Sequence, residues 1–142
     1  MPSSSTPPAH TIITSIQRST HLIASYLERE VPGLGHADAR VLAALADGGS
    51  RTVAELHRDF GHKRSTLTSI LDRLETRGLV TREIERIDRR SFRIRLTSRG
   101  AQTARRVAGA FRRVEVRVGR ATSDAAMRGF WATLEGLERS LR

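Results

Sequence analysis

Apolar residues recur along this chain in two rhythms, one of three to four residues and one of two. The slower rhythm comes first: Ile12, Ile13, Ile16, Leu22, Ile23, Tyr26 and Leu27 return at spacings close to helical, up to Pro32-Gly33. A second helix is predicted from His36 to Asp47, with Val41, Leu42 and Leu45 on its apolar side and Gly48-Gly49 ending it. Thr52-Val53-Ala54-Glu55 has the spacing of a capping box, in which the threonine and the glutamate three residues on satisfy free backbone donors. It opens a short third helix that runs to Phe60 and closes at Gly61. In a fourth helix, from about Lys63 to Arg77, Leu67, Ile70, Leu71 and Leu74 form one stripe at i, i+3, i+4 and i+7. At about 100° per residue, Ser65, Thr68, Ser69, Asp72 and Thr76 fall on the other side, with Arg73 at its edge. That outer face is short and rich in hydroxyls.

The faster rhythm follows Gly78. Leu79 to Ile87 is predicted as a strand, paired with Phe92-Arg93-Ile94-Arg95-Leu96, whose apolar residues point one way and whose arginines point the other. Ile87-Asp88-Arg89-Arg90 stands where the turn belongs. The helical rhythm then resumes. Thr97 or Ser98 caps a fifth helix with Ala104, Val107, Ala108, Phe111, Val114 and Val118 in its stripe, and Ser123-Asp124 caps a sixth. In the sixth, Met127, Phe130, Trp131, Leu134, Leu137 and Leu141 are expected to point inward. The predicted order is four helices, two strands and two helices, a mainly α fold with a small β-hairpin (α+β).

Composition changes the picture at one point, charge. The 142 residues carry 25 Lys+Arg against 15 Asp+Glu, a formal net charge of +10, and Lys63 is the only lysine. An arginine-rich chain presents planar forks of donors that match phosphates and guanine edges, so a polyanion, nucleic acid first, is the expected partner. The absence of cysteine excludes disulfides, thiolate metal sites and a thiol redox switch. His10, His21, His36, His57 and His62 are scattered without metal-site spacing, so no metal is expected. No Gly-rich phosphate loop, nucleophile elbow or convergent acid pair is present, and neither an enzyme nor a bound cofactor is expected. Met1 to Pro8 is Ser/Thr/Pro-rich and lacks the basic and apolar regions of a secretory signal. With no apolar run near the ~20 residues a span requires, no membrane partner is expected and a cytoplasmic location is.

Two short helices, the second with a small polar outer face, followed by a hairpin describe a winged helix-turn-helix, whose second helix enters the major groove of double-stranded DNA. The hairpin then reaches the neighbouring minor groove, where Arg89 and Arg90 meet concentrated negative potential and Asp88 orients one of them. Each feature alone is ordinary surface; their order within sixty residues, with surplus positive charge, is what carries the reading.

These residues resemble a known family. Leu74-Glu75-Thr76-Arg77-Gly78-Leu79-Val80, then Asp88-Arg89-Arg90-Ser91, then Leu96-Thr97-Ser98-Arg99-Gly100 look like the MarR family of bacterial transcription regulators, and Arg64-Ser65-Thr66-Leu67-Thr68 through Asp72-Arg73-Leu74-Glu75 resembles its recognition helix. The motif-level likeness covers residues 54–100. Lys63 departs from it, standing where the family often carries a capping Ser or Asp, and a phosphate contact would suit it there. The resemblance implies a sequence-specific DNA-binding transcription regulator, expected to be a repressor that binds a pseudo-palindromic operator. Lys63, Arg64, Ser65, Thr66, Thr68, Ser69 and Arg73 would form the recognition helix's contacts, and Asp88, Arg89 and Arg90 the wing's.

It also implies a homodimer through the first, fifth and sixth helices, and physics points the same way. A winged unit of about sixty residues, His36 to Leu96, cannot cover three further amphipathic helices. Ile12, Ile16, Ile23, Phe111, Phe130, Trp131 and Leu134 are the expected interface. The expected domains are a disordered lead-in (1–9), a dimerisation helix (10–33), the winged helix-turn-helix (34–97) and C-terminal dimerisation helices (98–142). Regulators similar to this one often bind a small aromatic ligand, for which Ile16, Tyr26, His57 and Phe60 are candidate wall residues, chosen by position alone. A nonspecific architectural DNA binder and a winged-helix protein-interaction module are the competing readings.

Overall fold

The computed structural model describes residues 11–61, 63–85 and 91–142. The N-terminal lead-in, His62 and the wing residues Asp88, Arg89 and Arg90 lie outside the described residues. In chain order the elements are α1 (Ile12–Glu30), α2 (His36–Gly48), β1 (Ser50–Thr52), α3 (Val53–Phe60), α4 (Arg64–Thr76), β2 (Val80–Ile84), β3 (Phe92–Leu96), α5 (Ser98–Ala121) and α6 (Asp124–Ser140). The result is mainly helical, with one small antiparallel sheet. It divides into two units, Met1–Ala108 and Gly109–Arg142, so α5 begins in the first and ends in the second.

Local chemistry sets several of the helix ends. Thr52 Oγ1 accepts from Glu55 N (3.2 Å) and the Glu55 carboxylate accepts from Thr52 N (2.7 Å), the capping box in full. The hydrogen bond from the Thr52 backbone holds the Glu55 carboxyl below its usual range. Gly61 closes α3 in the left-handed region at φ 61°. Lys63 is the N-cap of α4 and offers no side-chain cap, so that helix starts at Arg64 with Leu67 N donating to Lys63 O (3.1 Å). Thr97 Oγ1 accepts from Gly100 N (2.9 Å) at the start of α5 and donates to Gly78 O (2.7 Å), tying that turn to the end of α4. Ser123 caps α6.

The core of the first unit is made by the predicted stripes. Leu42 and Leu45 of α2, Leu56 of α3, and Leu67, Ile70, Leu71 and Leu74 of α4 are buried together with Leu27, Leu34, Val80, Ile94, Ala104 and Val107. In the second unit Ala110 is buried, a position the predicted stripe of α5 left out.

Three expectations need correction. First, β1 was not predicted: Ser50-Arg51-Thr52 has no apolar alternation, and it is a strand because it pairs antiparallel with β3, giving the order β1-β3-β2. Second, the described part of the first hairpin strand runs from Val80 to Ile84, and the predicted dry face is uneven: Ile94 is buried but Phe92 is exposed. Third, Met127, Phe130, Trp131, Leu134, Leu137 and Leu141 do not point into a core of their own chain. No residue of α6 is buried, and Phe130 and Trp131 are 53% and 57% exposed. The second unit has only the end of α5 and α6 as helices, and two helices leave one another's outer faces in water. Phe130 and Trp131 meet edge-to-face at 5.6 Å between ring centroids, an apolar patch without a cover in the single chain.

Candidate nucleic-acid interface

The helix-turn-helix is α3 and α4. Its second helix is held by its inner stripe, and everything opposite that stripe is open: Lys63, Arg64, Ser65, Thr66, Thr68, Ser69, Asp72, Arg73 and Thr76 are all exposed. The structure therefore places the predicted recognition residues on one outward face. Two of the hydroxyls are already committed as donors, Thr68 Oγ1 to Arg64 O (2.9 Å) and Ser69 Oγ to Ser65 O (3.0 Å). In this arrangement they present lone pairs outward, and a partner would meet acceptors there.

Arg73 is engaged differently from its neighbours. Its guanidinium binds both carboxylate oxygens of Asp38 on α2, Nε to Oδ2 at 3.1 Å and Nη2 to Oδ1 at 2.5 Å. Asp38 is the buried member at 2% exposure, whereas the Arg73 side chain is half exposed. The hydrogen bond and the charge of Asp38 raise the Arg73 guanidinium above its ordinary value. This pair pins the outer helix to α2. Asp38 lay outside the residues singled out from the sequence, because an aspartate in the first turn of a helix is an ordinary response to the helix dipole. Nearby, burial and then the charge of Arg40 push the His36 imidazole down, so it is neutral near pH 7.

The hairpin is tied to α4 and crossed by ion pairs. Arg82 on β2 reaches Asp72 (2.5 Å) and Glu75 (3.6 Å) of α4. Arg93 meets Glu85 (2.6 Å), and Arg95 meets Glu83 (2.9 Å). Residues 72–100 contain nine arginines and five acids, and these contacts with the Asp38 pair sort them. Arg73, Arg82, Arg93 and Arg95 each have a carboxylate, which occupies four of the five acids of that stretch and Asp38. Of the other five arginines in the stretch, Arg86, Arg89 and Arg90 lie outside the described residues.

Beside this face, a cavity of about 360 Å³ lies between α3, α4 and β3, walled by His57, Arg64, Leu67, Thr68 and Phe92 among others. Of the four residues proposed as ligand walls, His57 lines it, and Ile16, Tyr26 and Phe60 do not. Tyr26 instead has Arg29 over its ring at 5.9 Å, and Phe60 has Arg40 over its ring at 4.9 Å. Among the described residues no group of His, Asp and Glu is arranged to hold a metal ion, and no helix is long and apolar enough to cross a membrane.

Comparison with known proteins follows the same geometry. The family model described as MarR family matches residues 33–91. Comparison with curated protein sequences finds no significant match. Among solved structures, the chain is similar to overoxidised AbfR bound to DNA, at TM-score 0.75 and 25% identity over 94% of each chain. It is also similar to a cysteine-to-serine mutant of MarR from E. coli complexed with operator DNA (TM-score 0.73, 23% identity, 93% of this chain and 91% of that one). A third likeness is to Bordetella bronchiseptica BpsR, whose DNA binding is regulated by 6-hydroxynicotinic acid (TM-score 0.74, 18% identity, 93% and 97%).

Proposed function

We propose that the chain is a regulator of the MarR family, whose model matches residues 33–91, and that it binds DNA sequence-specifically and acts as a homodimer. The observation that carries the reading is the outer face of α4, where Lys63, Arg64, Ser65, Thr66, Thr68 and Ser69 stand exposed beside a hairpin anchored to the same helix by Arg82. A helix presented this way fits the major groove. Ser65, Thr66, Thr68 and Ser69 face the base edges, Lys63 and Arg64 take phosphates, and Arg89 and Arg90, oriented by Asp88, enter the minor groove. Arg73 is assigned to Asp38 and positions the helix.

The domains follow from these roles: 34–97 binds DNA, and 10–33 with 98–142 makes the dimer. Support for the dimer is apolar surface left open in one chain: Leu22 and Ile23 on α1, and Phe130 and Trp131 on α6. Ile12, Ile16, Phe111 and Leu134 are half-buried on the dimerisation helices and would complete their cover. Seated across a promoter, such a dimer excludes polymerase, which makes it a repressor. Release by a small aromatic effector is supported by the BpsR likeness, and the cavity beside His57 gives such a ligand access to the DNA face.

The test is selection of genomic fragments by the purified protein at roughly 150 mM salt, where phosphate contacts alone bind weakly. An inverted repeat with half-sites about 10 base pairs apart is the expected product. Retention without a shared motif would show a nonspecific binder, and no retention would leave the protein-interaction module. With the operator in hand, Arg90→Ala should weaken binding by about 1–3 kcal/mol, the range of a good arginine contact. A loss shared by all DNA sequences would make Arg90 a phosphate anchor, and unchanged affinity would remove the wing from the mechanism.

A further inference from the structure

We propose that the first unit holds a small oxyanion, a phosphate or the phosphate or carboxylate group of a metabolite, in a cavity walled by Arg77, Arg99 and Arg106. The cavity has a volume of about 270 Å³ and lies where the α1–α2 connection, the end of α4 and the first turns of α5 meet, with Gln102 and Thr103 beside the arginines. Three cations around one hollow repel one another unless anions neutralise them. Arg77 Nη1 donates to Gly33 O (2.6 Å), Arg99 Nη1 to Arg77 O (3.3 Å) and Arg106 Nη2 to Glu30 O (2.9 Å). All three acceptors are backbone carbonyls. Among the described residues no carboxylate forms an ion pair with any of the three, whereas Arg51, Arg73, Arg82, Arg93 and Arg95 each have one within 3.0 Å. The near acid Glu28 has an oxygen engaged with Gly33 N (2.9 Å).

The carbonyls account for part of this arrangement, since arginines suit the carbonyl ends of helices and Glu30 closes α1. They leave most of it unused. A guanidinium has five donors in a planar fork, and each arginine here commits one to a carbonyl. The carbonyl bonds fix the forks in place, and the remaining donors match the spacing of oxygens on a phosphate or carboxylate. At about 270 Å³ the hollow has room for the anionic group and a small organic part.

DNA is a poorer occupant. Arg77 lies about 20 Å along α4 from Arg64, at a rise of 1.5 Å per residue. The cavity also sits near Val80 and Leu96, which pair at one end of the hairpin, and Ile84 and Phe92 pair about 13 Å away at the other. Occupancy would tighten the end of α4 against α1 and α5, so on the functional reading above the site serves an anionic effector. The binding itself does not depend on that reading.

Calorimetric titration of the full chain with inorganic phosphate, and separately with succinate, at ionic strength matched with sodium chloride and without DNA, tests the site. The expected result is saturable binding of at least one of them, one per chain, that Arg99→Gln and Arg106→Gln each weaken at least tenfold. Arg128→Gln, which removes an exposed charge from α6, should bind as the parent does, and Arg99→Lys should fall between parent and Arg99→Gln. Phosphate binding alone identifies a phosphoryl ligand and succinate alone a carboxylate. Circular dichroism confirms that each variant is folded. The proposal is overturned if neither anion binds beyond chloride, or if folded Arg99→Gln and Arg106→Gln variants bind like the parent. It is equally overturned if the variants lose only DNA affinity.

Discussion

Gly100→Ala should destabilise the protein by more than about 3 kcal/mol, beyond the usual range for overpacking. In an exposed helix the same change stabilises by up to about 1 kcal/mol, because alanine is the better helix former. Here the sign reverses. An added Cβ would stand 1.8 Å from Leu79 O and 2.8 Å from Leu79 C, backbone atoms that cannot swing away. That carbonyl is itself held, accepting from Thr97 N at 3.1 Å, while Thr97 Oγ1 caps Gly100 N. The first turn of α5 and the chain leaving α4 are thus in direct backbone contact. Thermal unfolding should drop by at least roughly 6–12 °C, at the 2–4 °C per kcal/mol typical of chains near this size. A melting point within a degree of the parent would mean that the two segments separate easily. Gly119→Ala on the same helix is the control, since nothing lies within 4 Å of its added Cβ.

Arg73→Met should cost about 3 kcal/mol, the lower end of the range for removing one partner of a buried pair, because Arg73 is itself half exposed. The reason is asymmetry. Asp38 is nearly inaccessible, so losing the guanidinium strands a carboxylate without solvent. Asp38→Asn strands only a cation that can reach water, and about 1–2 kcal/mol is expected. Urea unfolding of both single variants and the double variant measures this order and the coupling between the residues. If Arg73→Met unfolds like the parent yet loses operator affinity, Arg73 reads DNA and Asp38 does not hold it. If both variants lose stability in the stated order, the pair is the pin that orients α4.

Much of the fold was legible because it is decided locally. The stripe Leu67, Ile70, Leu71, Leu74, the Thr52–Glu55 capping box and the closure at Gly61 each depend on residues within a turn or two, and each stands as read. The open face of α4 follows from the same periodicity. β1 was not legible, since Ser50-Arg51-Thr52 becomes a strand only when β3 offers its second edge. Nor was the fate of the α6 stripe: periodicity shows that Phe130 and Trp131 share a side, and it cannot say whether that side meets its own chain or another.

The sequence by itself determined the order of the elements, the residues presented by α4 and a surplus of arginine, because spacing and composition are properties of the chain alone. Which arginines are free was decided only by the tertiary structure. Arg93 and Arg95 find acids across a strand register, Arg73 finds one 35 positions away, and Arg77, Arg99 and Arg106 converge on a hollow where, among the described residues, no carboxylate pairs with them. An ion pair is set by distances of a few ångströms between segments remote in sequence, and those distances exist only once the core has fixed how the segments lie.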